Sequence, residues 1–176
     1  TVALFVPVGF YDATLDRYLT DMGASNTLIS FAFLAFGIPF ALLASRGGRT
    51  ADRVGPLRAA VAASVLMVPI TMGYGFVTVP MLVVVLSGIE GVVQSLGAPA
   101  AQALVASGAP TGRAAAAQGL AGAGSLVVGV VAAYMAGALY ESIGPRGMFA
   151  IAGGGIALFM AIALAQGRVR RPAPVS

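Results

Sequence analysis

The sequence predicts an all-α membrane protein of six transmembrane helices, and three observations carry that expectation. The 176 residues are 59% hydrophobic and only 9% charged, with a mean hydropathy of +0.94. Soluble domains carry about 25% charged residues, so a water-exposed globule of this composition would lack the polar surface to stay dispersed. Long stretches hold no charged residue at all, from Met22 to Ser45 and from Ala59 to Ile89. Charge gathers at the joints instead, above all in Arg46-Gly47-Gly48-Arg49-Thr50-Ala51-Asp52-Arg53-Val54-Gly55-Pro56-Leu57-Arg58.

The elements follow from the breaks. The first span, about 2–20, closes at Gly23-Ala24-Ser25-Asn26, and the second, about 27–45, runs into the arginine island, which reads as a tight polar turn. The third, about 57–74, leaves that island and ends at Gly73-Tyr74-Gly75; the fourth, about 80–106, stops before Gly108-Ala109-Pro110-Thr111-Gly112. The fifth, about 114–140, and the sixth, about 147–165, flank Ser142-Ile143-Gly144-Pro145, and 167–176 forms a short basic tail. Each span offers the roughly 20 apolar residues a bilayer requires, and each joint is built of turn formers. Pro39, Pro69 and Pro99 interrupt the backbone ladder inside spans, as gating bends or as ordinary kinks. Gly119, Gly122, Gly124, Gly129 and Gly153-Gly154-Gly155 read as sites of close helix packing.

Short joints make successive spans alternate in direction, so one placement fixes all the others. With the arginine island on the cytoplasmic side, eight of the ten basic residues fall inside, and Arg17 and Arg146 remain outside. Tyr18, Tyr74 and Tyr140 then stand at outer ends, where an interfacial aromatic belt belongs. The tail is cytoplasmic in this scheme. Thr1 is not an initiator Met and no cleavable leader precedes the first span, so the chain is expected to begin within a longer protein and to end at a natural terminus.

Several classes of function are excluded by residue type. Every basic residue is Arg, and His, Cys and Lys are absent. No disulfide framework or Cys/His metal site can be assembled, and no G-x-x-x-x-G-K-[ST] phosphate loop is present. The expectation is a protein that is not an enzyme and takes neither a cofactor nor a metal. Its arginines lie at the ends of apolar runs rather than on an exposed face with interleaved aromatics, so nucleic acid is not a partner. Membrane lipid is.

Gly48-x-x-Ala51-Asp52-Arg53-x-Gly55, followed by Arg58, resembles the signature loop of the major facilitator superfamily of secondary transporters. Gly9-Phe10-Tyr11-Asp12 with Arg17-Tyr18-Leu19 is similar to the opening helix of a facilitator half, and Pro99-Ala100-x-Gln102-Ala103 and Arg113 to Gly119 are similar to the tenth and eleventh helices. The resemblance covers most of the chain, although Pro56 and Leu57 separate Gly55 from Arg58 where the strong loop has consecutive basic residues. That departure favours the degenerate second-half copy. The resemblance implies the C-terminal six-helix half of a twelve-helix bundle, whose partner is the N-terminal half of the same transporter. It also implies that Gly48, Asp52, Arg53, Gly55 and Arg58 form a conformational latch, where the residues alone would equally describe a plain polar turn. The expected location is a bacterial plasma (inner) membrane.

The candidate pathway residues are the ionisable ones at membrane depth. Glu90 stands near the middle of the fourth span with Gln94 four residues on, the same helix face. A carboxylate facing lipid there costs several kcal/mol, so it must face protein or water, where burial favours the neutral acid. That suits a proton carrier, or a structural Glu bonded to a neighbouring helix. Asp12 and Asp16 form an acidic stripe or solvated helix-end charges, and Arg17 can pair with Asp21. Tyr11 and Tyr134 either contact a solute or fill the bundle. The functional expectation is alternating-access transport of a small organic solute, with proton-coupled efflux foremost. Uptake of a sugar or organic acid, or a non-transporting six-span scaffold, are the alternatives.

Overall fold

The computed structural model describes residues 14–169, with side chains as far as 165. Tyr11, Asp12, most of the first predicted span, Arg170 and Arg171 lie outside the described residues. The first described helix, α1 (residues 14–21), ends in a paired cap: Gly23 N–H donates to the Thr20 carbonyl at 2.9 Å and Ala24 N–H to that of Leu19 at 3.0 Å. Gly23 adopts φ 77°, the left-handed conformation this stop requires. Two residues later the Ser25 hydroxyl accepts from Leu28 N–H at 3.3 Å and starts α2, Asn26–Val54.

α2 corrects one expectation. It does not stop at Ser45 but carries its helix through the arginine island to Val54, so the tight turn reduces to Gly55, whose φ is 96°. At about 1.5 Å per residue its 29 residues reach about 43 Å, well beyond a hydrocarbon core of about 30 Å. The charges therefore mark where the helix leaves the membrane, not where it ends. Pro56, at the first position of α3 (Pro56–Tyr74), needs no N–H partner there. α4, Pro80–Ser107, also opens on a proline.

α5, Ala114–Val169, is a 56-residue element broken at Gly144, with φ 74° and ψ 176°, followed by Pro145. Its two arms, 114–143 and 145–169, both feed the larger core: Ala132, Ala136 and Tyr140 come from one, and Met148, Phe149 and Ala152 from the other. Among the described residues four helices are long and apolar enough to cross a membrane, and α5 is the one broken by a kink, at Gly144.

α4 packs against α2 and α3, and α3 also meets α5. The α2–α4 crossing is the tightest. The missing side chain of Gly91 admits the Phe36 carbonyl, and that of Gly47 admits the Ser95 carbonyl, where a Cβ would overlap backbone. Of the glycines named from sequence, Gly153 does pack closely, against Met72 and Val68, whereas Gly119, Gly122, Gly124 and Gly129 meet nothing within 4 Å among the described residues. A glycine in the sequence does not record what stands opposite it. Large apolar residues such as Phe31, Leu34, Ile38 and Leu42 point outward, while Ser64, Thr71, Ser87 and Gln94 are buried. An apolar exterior over a partly polar interior is what a lipid solvent selects.

Candidate functional site

The buried stripe of α4 runs Val83, Ser87, Glu90, Gly91, Gln94, Ser95 at helical spacing. Glu90 is 4% exposed and Gln94 5%, so both face protein rather than lipid. Tyr74, the last residue of α3, donates its hydroxyl to Glu90 Oε2 at 3.1 Å and lies 3.2 Å from Ser87 Oγ. Ser87 in turn donates to the Val83 carbonyl at 3.0 Å. One turn before Tyr74, the Thr71 hydroxyl is fully buried and has no hydrogen-bond partner among the described residues. Glu90 and Gln94 thus share a stripe as the spacing predicts. No spacing rule marks Tyr74 as a partner of Glu90, since it reaches across a turn and from a different helix.

Tyr74 is itself fixed from behind. Tyr18 shares its hydroxyl hydrogen between the Tyr74 carbonyl at 2.6 Å, which also accepts from Val77 N–H, and the Val77 carbonyl at 2.7 Å, and so braces the turn that follows α3. Phe149 stacks on Tyr74 at 5.5 Å and takes Tyr18 edge-on at 5.4 Å. Tyr18, Tyr74 and Tyr140 were expected as an interfacial belt. They do gather at one pole, but as buried bundle residues with hydroxyl partners.

The charged groups of that pole pair differently from the sequence expectation. Arg17 bridges to Glu141 at 3.0 Å, not to Asp21, and its guanidinium lies 5.1 Å from the Tyr140 ring centre. Asp21 instead accepts the Tyr140 hydroxyl at 2.6 Å. A pairing 124 residues apart in sequence defeats any local rule. Asp16 is exposed. Tyr134 is 82% exposed and so does not fill this bundle.

At the opposite pole, Arg46, Arg49, Asp52, Arg53 and Arg58 are all exposed. Ala51, Ala59 and Ala100 pack behind them into a second small core. The only salt bridge among the described residues is that of Arg17 with Glu141, so Asp52 pairs with none of its neighbouring arginines. Gly48 faces Pro99 with room for ordinary contact, and Gly55 supplies the positive φ that closes the joint. Among the described residues, no group of three acidic, His or Cys side chains gathers to hold a metal.

Such a chain, helical with an apolar exterior and several helices long enough to cross a bilayer, belongs to the class of multi-spanning integral membrane proteins. The sequence matches the Major Facilitator Superfamily across residues 2–176, nearly its whole length, and the chain is a member of that superfamily. It is a membrane protein of a non-enzymatic transporter family. No curated protein matches the sequence closely enough to add a relative.

Proposed function

We propose that the chain forms the six-span second half of a twelve-helix secondary transporter that exports a small organic solute by alternating access, driven by protons. The span expected over about 2–20, then α2, α3, α4 and the two arms of α5, make up the proposed six. The N-terminal half of the same protein is the partner, in a bacterial plasma membrane with the C-terminus in the cytoplasm. Gly48, Asp52, Arg53, Gly55 and Arg58 form the latch; the exposed, unpaired Asp52 supports a partner outside the described residues.

The observation that supports the proton role is the burial of the Glu90 carboxyl, 4% exposed on α4, where it accepts from the Tyr74 hydroxyl at 3.1 Å. A carboxyl held inside the bundle can take up and release a proton, which none of the buried hydroxyls and amides beside it can do near neutral pH. Gln94 extends this pathway along α4, Tyr11, Asp12, Asp16 and Arg17 belong to its outer approach, and the exposed Tyr134 faces the solute side.

Proteoliposome transport tests this. Glu90→Gln keeps the shape and hydrogen-bonding capacity but cannot titrate. It should abolish proton-driven accumulation and its pH dependence while sparing solute-for-solute exchange, with stability changed by no more than about 1 kcal/mol. Full proton-driven accumulation by Glu90→Gln would make Glu90 a structural residue.

A further inference from the structure

Between the end of α1, the α3–α4 turn and the break in α5 lies a cavity of about 430 Å³. Its walls carry one carboxylate and one guanidinium, Asp21 and Arg146, with Met22, Val77 and Pro145 as apolar surface. Asp21 and Arg146 are both exposed at this cavity and form no ion pair with each other. Each is held by a different neighbour. Asp21 is tied through Oδ2 to the Tyr140 hydroxyl at 2.6 Å, and the Arg146 guanidinium lies over the Phe76 ring at 6.0 Å. The Arg146 backbone is fixed as well: Gly75 admits it so closely that a Cβ there would stand 3.0 Å from the Arg146 Cα. Neither Asp21 Oδ1 nor the Arg146 guanidinium has a hydrogen-bond partner among the described residues. Tyr18 and Tyr140, also in the wall, have already committed their hydroxyl hydrogens to protein acceptors.

We propose that this cavity binds a zwitterion, with its ammonium on Asp21 and its phosphate or carboxylate on Arg146. Charge-assisted hydrogen bonds at both ends, and an apolar wall along the carbons between, give recognition that a simple cation or anion cannot satisfy. Two sources carry this chemistry: the headgroup of an ethanolamine phospholipid and a free zwitterionic solute. Assignment to the outer leaflet rests on the topology proposed above, but binding does not. An inverted topology would move the site to the other leaflet without removing it.

The test uses the full-length protein in nanodiscs of phosphatidylethanolamine, phosphatidylcholine and phosphatidylglycerol in equal parts, with retained lipid read by native mass spectrometry. A second arm titrates soluble glycerophosphoethanolamine onto the lipid-depleted protein. Wild type should retain phosphatidylethanolamine about tenfold over the other two lipids. Asp21→Asn should erase that preference, Arg146→Gln should lower retention about tenfold, and Arg146→Lys should recover part of it. Soluble glycerophosphoethanolamine binding as tightly as the lipid would identify a free solute as the source and uphold the zwitterion site. Equal retention of all three lipids by wild type, with no binding of the soluble probe, would overturn it. So would sensitivity to only one of the two charges, which describes a single-ion contact.

Discussion

The two poles of the bundle carry similar numbers of charged residues and use them in opposite ways. At the tyrosine pole polar groups are spent inside the chain: Tyr18 on two carbonyls, Tyr140 on Asp21, Arg17 on Glu141. At the arginine pole the charges stay exposed and unpaired, and cohesion comes from alanines and from Gly47 against the Ser95 carbonyl. Hydrogen bonds between named partners fix one arrangement of helices. Close-packed small residues hold helices together without committing their charges. The first pole is thus braced by bonds within this chain, with Asp21 Oδ1 and Arg146 left at its cavity, whereas the second keeps its arginines and Asp52 exposed.

Breaking the arginine pole requires steric rather than electrostatic change. Gly47→Leu drives a side chain into backbone that has no rotamer to yield, and should cost at least about 3 kcal/mol, seen as loss of monodisperse protein or a collapsed thermal midpoint. A stable Gly47→Leu protein would mean that the α2–α4 crossing is loose.

The tyrosine pole should break through its hydroxyls. Tyr18→Phe takes the hydroxyl from the part-buried Val77 carbonyl and leaves the Tyr74 carbonyl with the Val77 N–H alone, and should cost about 1 kcal/mol in thermal or denaturant unfolding. Because Tyr18 also holds Tyr74 in place, Tyr18→Phe should alter proton-driven transport more than its stability loss alone explains.

The smallest effect sharpens the contrast within that pole. Arg17 and Glu141 are 52% and 67% exposed, so solvent screens their attraction. Arg17→Gln should leave the thermal midpoint almost unchanged, and its effect should shrink further as salt rises. A larger loss would show the bridge, and not the tyrosine hydroxyls, to be what holds the pole.

Much of this architecture was legible in the sequence. Gly23, Gly55 and Gly144 sit within the predicted joints and each adopts positive φ, because chain reversals between long helices need a residue free of a Cβ. Pro80 to Ser107 fell within a residue of expectation, as a proline start and a polar end leave little choice. The burial of Glu90 and Gln94 followed from the cost of a charge in lipid. What stayed hidden depended on neighbours that periodicity cannot supply. Helix continued through Arg46–Val54 because arginine is a good helix former and its charge sets membrane depth, not backbone conformation. The partners of Arg17, Asp21 and Glu90 come from distant helices, and which glycines meet backbone depends on the facing helix.

The single-residue joint at Gly55 has a mechanical consequence. With no slack between α2 and α3, and α2 seated on α4 through Gly47 and Gly91, these three helices form one stiff plate. A plate tilts as a whole. Over a lever of about 43 Å, a tilt of about 10° swings one end by about 7 Å relative to the other, enough to open or seal a path for a small solute without repacking a single side chain inside the plate.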